Sequence, residues 1–282
     1  MANEKVYNVI TEQILKALDA GIVPWRKEWT TLSPKSLGSK KAYRGINSLL
    51  LSICNTYSSQ YWVTYNQAKA LGGNVRKGEK GRAIVFWKWL EKTQDGETKR
   101  FPLLRYYTVF NVEQCEGIDS KVPVVEIREH SPIQDAQAIV DNMPNRPEIS
   151  HGGDRAFYRP STDDVTLPAP ELFASAESYY STAFHELAHS TGHKSRLDRE
   201  FGGADMIGYS KEELIAEMSA AFLCGTCGIS NATIENSAAY IQGWRKRISD
   251  DPSLVVQAAA KAQKVADYIL AVDQETGDDT EE

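Results

Sequence analysis

Cysteine is scarce and scattered, with four in 282 residues at Cys54, Cys115, Cys224 and Cys227. That excludes the disulfide framework of a small secreted scaffold and leads to the expectation of reduced thiols. Cys224 and Cys227 form a C-x-x-C spacing, but no second cysteine pair stands at zinc-finger distance, so their apolar setting reads as a pair of buried thiols. Long apolar runs are missing too. No stretch approaches the roughly 18 to 20 residues of a membrane span, and the opening MANEKVYNVI has no signal-peptide core. The expectation is a cytoplasmic protein with no membrane partner. Histidine is equally rare: there are five, yet His185, His189 and His193 fall within nine residues.

That cluster sits in SAESYYSTAFHELAHSTG, residues 175–192. His185-Glu186-Leu187-Ala188-His189 is H-E-x-x-H, and on a helix the two imidazoles lie one turn apart on one face, placed to share a metal ion. Ser175 or Ser178 caps the helix and Gly192 ends it. Zinc takes neutral imidazole nitrogen at about 2.0 to 2.1 Å, and a catalytic site keeps its fourth position for water. Zn2+ is the expected ion, with another divalent transition metal as the alternative. Glu186 is then the base that takes a proton from water. His193 follows His189 by four residues, too far along a continuous helix to converge as a third ligand. It is read instead as lining the cleft or binding a nearby acid. His193 and Tyr209 are the candidates to stabilise an oxyanion, and His151 is a possible accessory ligand.

A second helix opens at Ser210-Lys211-Glu212-Glu213. Glu213 and Glu217 lie one turn apart on one face, and Glu213-x-x-Ala216-Glu217 resembles the E-x-x-A-D/E element of glutamate-liganded zinc peptidases. That resemblance implies Glu213 as the third metal ligand and Glu217 as the residue that orients a ligand histidine, the reverse assignment remaining open.

Charge divides the chain. Residues 1–120 hold 18 Lys+Arg against 11 Asp+Glu, a balance of +7, while residues 121–282 hold 14 against 27, a balance of −13. Five of the six tryptophans and seven of the thirteen tyrosines lie in the basic part. Cations interleaved with flat rings suit single-stranded nucleic acid, whose phosphates attract the first and whose unpaired bases stack on the second. The candidates are Trp25, Arg44, Trp62 and the basic turn Arg76, Lys77, Lys80 and Arg82; the competing reading is aromatics in a core under a solvated basic face.

Helical periodicity marks residues 4–20, the stretch after Gly45, and a short helix capped by Thr64-x-x-Gln67. Then AIVFWKWL and LLRYYTVFNV read as the strands of a hairpin, joined by the charged segment EKTQDGETKR (91–100) as a solvated loop with Asp95-Gly96 at its tip. In the second half, Ser131-Pro132 opens a helix to about Asn142. MPNRPEIS is loop, AFYRP and DDVTLP are two short strands, and the polar segment 193–208 arches over the site. Helices follow at 238–248 and 254–269. This gives an α+β chain of two domains: 1–118, a linker at 119–131, 132–271, and an acidic disordered tail at 272–282.

VPWRKEW, YRGINSLLL, YWVTYNQAKALGGNVRKGEKG and FNVEQCEG resemble the N-terminal domain of the ArdC antirestriction family of conjugative plasmids, also found in TraC-type plasmid primases. FYRPSTDDVTLP, HELAHSTGHKSRLDR and YSKEELIAEMSAAFL resemble the zinc-metallopeptidase domain that follows it there. The resemblance implies an N-terminal α+β domain that binds single-stranded DNA and a mainly helical zincin-like domain with a small β-sheet. It also implies protection of incoming plasmid DNA from host restriction, and a protein substrate that could be a host restriction component. The rival reading is a non-catalytic DNA-coating protein whose metal site is structural.

Overall fold

The structure is a computed structural model that describes residues 2–26, 33–53, 57–94, 97–123, 132–199, 206–229 and 238–272. Expectations placed on Ser131, on the Asp95-Gly96 tip, on 200–205 and on the tail from 273 fall outside these residues, as does the linker from 124 on.

Helix α1 (Ala2–Asp19) buries Val6, Ile10, Ile14 and Leu18 from one face. It closes at Gly21, whose φ of +75° a residue with a Cβ adopts only under strain. Pro24–Arg26 forms a 3-10 turn. There follow β1 (Lys35–Ser36), α2 (Gly45–Ser52), β2 (Tyr61–Thr64), α3 (Tyr65–Ala70), β3 (Asn74–Val75), β4 (Arg82–Gln94), β5 (Glu97–Asn111) and β6 (Cys115–Glu116). The capping box of α3 is complete: the Gln67 N–H donates to Thr64 Oγ1 at 3.2 Å, and the Thr64 N–H donates to Gln67 Oε1 at 2.8 Å.

The sheet runs β1-β2-β5-β4, and β3 pairs with β6. Sequence reading had only helices before β4. Strand β2 escapes it because Tyr61, Trp62 and Val63 are all buried, which removes the alternation that marks a strand. The hairpin pairs antiparallel as expected, from Arg82 with Val109, but its strands continue through the supposed loop at 91–100 up to Gln94 with Glu97, because cross-strand pairing carries charged and polar residues as readily as apolar ones.

The second half contains α4 (Pro132–Asn142), β7 (Glu148–His151), β8 (Phe157–Arg159), β9 (Asp164–Leu167), α5 (Ala176–Ser190), α6 (Met206–Cys227), α7 (Ala238–Asp250) and α8 (Leu254–Ile269). Two expectations need correction. The end of the supposed loop is β7, which pairs in parallel with β9 in a sheet of order β7-β9-β8; a four-residue parallel partner has no local signal. Helix α6 begins at Met206 rather than Ser210, running through Gly208 at a cost of about 1 kcal/mol. Cys224 and Cys227 are buried as expected, their thiols pushed up to about 12 by that burial.

The largest hydrophobic cluster joins both halves. It takes Val6, Ile10, Ile14, Trp25 and Leu49 from the first and Phe184, Leu187, Leu214, Trp244, Val255 and Ala262 from the second. Polar ties cross the same boundary: Thr11 Oγ1 donates to the Pro252 carbonyl at 2.7 Å, the Gly45 N–H donates to Gln263 Oε1 at 2.8 Å, and Arg44 pairs with Asp267. The first half also keeps its own smaller core around Tyr61, Val63, Ala68 and Val112. There Gly73 lies so close to β6 that an added Cβ would meet Glu116 O at 2.2 Å and Ile118 Cγ2 at 2.6 Å. Gly73→Ala should therefore cost about 1–3 kcal/mol. Gly152→Ala, where a Cβ meets nothing within 4 Å, should leave stability nearly unchanged; urea unfolding compares the two.

Candidate metal centre

Helix α5 starts where Ser175 accepts a hydrogen bond from the Ser178 N–H, and its buried face includes Ala183, Phe184, Leu187 and Ala188. The opposite stripe carries His185 and His189, whose Nε2 atoms lie 3.1 Å apart. From α6, packed alongside, Glu213 reaches both rings: Oε2 is 3.6 Å from His185 Nε2 and Oε1 is 3.5 Å from His189 Nε2. The donor atoms of these three residues all fall within 4.8 Å of one another. Four ligands at 2.0–2.1 Å around a tetrahedral ion stand about 3.3 Å apart. The donor set therefore fits a divalent ion in spacing as well as in chemistry.

Four carboxylates surround the two imidazoles. Burial alone would lower the affinity of His185 for a proton. The hydrogen bond with Glu213 and the charges of Glu186, Glu213 and Glu217 outweigh it and hold the imidazole above its ordinary value. Glu186 is 8% exposed, beside His185 on α5. Glu217, also expected near the metal, stands outside the three-residue cluster. It is 6% exposed, and its Oε2 accepts from Trp25 Nε1 at 2.7 Å and from the Tyr240 hydroxyl. Burial raises its carboxyl above the usual range, against the pull of those two bonds.

Sequence reasoning missed the acid nearest the far side of His189. Glu212 Oε1 is 3.5 Å from His189 Nδ1, and Glu212 Oε2 accepts from Arg199 at 2.7 Å. Arg199 also donates to the Ala188 carbonyl at 2.9 Å and to Thr191 Oγ1 at 3.0 Å, which ties the end of α5 to α6. Nothing in the run Glu212-Glu213 tells which acid faces which ring nitrogen.

His193 is fastened nearby, with Nδ1 2.8 Å from Ser195 Oγ and 3.6 Å from Asp163 Oδ2. Asp163 accepts two hydrogen bonds from Arg196, at 2.7 and 3.0 Å, and one from the Tyr158 hydroxyl at 2.8 Å. This joins the segment after α5 to the β8–β9 turn. Tyr209 falls in the first turn of α6, where only the backbone is described. His151, at the end of β7, lies 3.0 Å from the Tyr179 hydroxyl and is not among the clustered ligands.

The residues picked out for nucleic acid separate into two groups. Trp25 and Trp62 are core residues, 0% and 3% exposed, and offer no ring face to a base. Trp25 is turned inward by the 3-10 turn that Pro24 begins, and Trp62 lies under Tyr57. Arg44 pairs with Asp267 across the halves, and Arg76 with Glu79 at 2.8 Å. Lys77 and Lys80 are exposed and Arg82 half-buried. Among the described residues of the first half, the exposed rings are instead Tyr65, Trp87, Tyr106 and Tyr107. The register sets Arg82, Ile84 and Phe86 on one face of the hairpin with Arg105, Tyr107 and Val109.

Residues 134–261 match the profile of a zincin-like metallopeptidase family, and residues 4–110 that of the N-terminal domain of anti-restriction factor ArdC. The metal-free crystal structure of the antirestriction protein ArdC of plasmid R388 is 38% identical with a TM-score of 0.76, covering 93% of this chain and 96% of that one. Its Mn(II)-bound form is 37% identical with a TM-score of 0.77, covering 94% and 97%. Protein y4eC of Sinorhizobium fredii (strain NBRC 101917 / NGR234) is 35% identical over 285 residues, 94% of this chain and 92% of its own length. The DNA primase TraC of Escherichia coli is 37% identical over 295 residues, but this chain spans only 20% of that protein. Fold and donor set together define an N-terminal α+β domain followed by a zincin-like metallopeptidase domain that carries a His-His-Glu cluster able to hold a divalent ion. The chain belongs to the ArdC antirestriction family.

The His185 shift carries a sign. Its native proton affinity is raised, so the folded metal-free protein binds a proton that the unfolded chain, near 6.5, releases first. The resulting stability is fully present below about pH 6.5 and is lost as pH climbs through the native value. Denaturant titrations in chelator should show this decline, and His185→Asn should flatten it.

Proposed function

We propose that the chain is an antirestriction protein that binds single-stranded DNA with its first half and hydrolyses a protein substrate, a host restriction component, at the His185–His189–Glu213 centre. The observation that carries this reading is the convergence of three donors at tetrahedral spacing with a fourth acid, Glu186, on the same helix. Two imidazoles and one carboxylate suit Zn2+, with Mn2+ as the competitor. When bound, the ion would polarise a peptide carbonyl and acidify an adjacent water. Glu186 takes the proton of the attacking water at its carboxylate and passes it to the departing amine. His193 and Tyr209 are the proposed donors to the oxygen that gains charge. The outer edge of β8, next to α5, is the proposed seat of an extended substrate segment.

For DNA, the support lies in the hairpin face with Phe86, Tyr107, Arg105 and Arg82, next to the turn that carries Lys77 and Lys80. Phe86 and Tyr107 meet edge to face at 5.7 Å, and Tyr107 is 43% exposed. A ring held by a neighbour and flanked by guanidinium groups is a base-stacking platform.

Three experiments test these readings. Glu186→Gln should leave metal binding nearly intact and abolish cleavage of restriction-enzyme subunits; full hydrolysis by this variant would eliminate the mechanism. Tyr107→Ala should weaken binding of a fluorescent oligonucleotide roughly five- to a hundredfold, the range of one lost stacking contact. Lys77→Ala with Lys80→Ala should flatten the salt dependence of binding.

A further inference from the structure

Trp25 reaches from the first half to the acid next to the metal cluster. It is fully buried, its ring packs edge to face on Trp244 at 5.9 Å, and its indole N–H donates to Glu217 Oε2 at 2.7 Å. The Tyr240 hydroxyl donates to the same oxygen and lies 3.2 Å from Trp25 Nε1, so the three groups close a triangle. Glu217 is one helical turn beyond Glu213 on α6, and its charge acts on His185. Burial of a carboxylate is costly unless donors meet it, and here one of the donors comes from 192 residues away in sequence.

We propose that Trp25 is a positioning residue of the metal centre, holding Glu217 and with it the His185 and Glu213 end of the cluster, so that metal affinity depends on the docked first half. This rests on the reading of His185, His189 and Glu213 as a divalent-metal site. Without the indole N–H, Glu217 can turn toward the cluster or take up water, and the spacing of the donors changes with it.

The test is Mn2+ and Zn2+ titration of the full chain by calorimetry, with chelated controls, on the unmutated protein, Trp25→Phe, Glu217→Gln and the double variant. Trp25→Phe should bind roughly 10- to 100-fold more weakly, the usual effect of losing a group behind a ligand. In the Glu217→Gln background the same change should add little, because Trp25 acts through Glu217. An unmutated chain that binds the ion beside a Trp25→Phe that binds it equally well overturns this inference alone. An unmutated chain that binds neither ion overturns the metal site as well. A measurement that needs no variant guards against misfolding: the Trp25 indole N–H resonance should move on Zn2+ addition, and an unmoved resonance overturns the proposal.

Discussion

Everything at the site depends on how closely α5 and α6 approach. Two histidines one turn apart supply only two ligands, and the third must arrive from a neighbouring backbone on a side chain no longer than glutamate. Helix axes 8–10 Å apart meet that requirement, and both helices bury small residues, Ala183 and Ala188 on one and Ala216 and Ala220 on the other. The rest of the fold holds this spacing. Strand β9 and β8 lie against one flank of α5, α8 lies against α6, and α1 and α2 close the far side through the shared core.

Placing four carboxylates around two imidazoles creates a second problem, which the structure solves for three of them one acid at a time. Glu212 is matched by a guanidinium, Glu217 by two neutral donors, and Glu213 by the two rings themselves. Only Glu213 is left in ion-pair reach of both ring nitrogens that point into the cluster. A centre of this kind is assembled by deciding where each negative charge goes, and the acidic second half provides more of them than a single cation consumes.

What could be read in the sequence was what is decided within a few residues. The H-E-x-x-H pair, the Ser175 and Thr64 caps and the hairpin follow from helical or strand period and from capping spacing, while Glu213 is picked out by the resemblance of its surroundings to the glutamate-liganded zinc peptidases. What could not be read was decided by partners far off in the chain. The VPWRKEW run gives no sign that Trp25 will face an acid on α6. Arg44 stands in a basic context yet is neutralised by Asp267, Glu212 gives no sign that it will face the far nitrogen of His189, and β7 exists only because β9 lies beside it. The same blindness explains the DNA candidates: aromatic content is visible in sequence, but which rings stay at the surface depends on the fold.

The β4–β5 hairpin far outruns the sheet it belongs to, since β2 pairs with β5 only over Val109 to Asn111. Beyond that short anchor the facing of each side chain is set by its cross-strand partner and, at the base of the arm, by Val85 and Leu104, which sit in the core shared with α1 and α2. Deleting one residue from either strand would turn the outer part of the arm inside out, exchanging Tyr107 and Arg105 for Tyr106 and Leu104. A change in the length of the arm that keeps its faces must therefore come in matched steps on both strands.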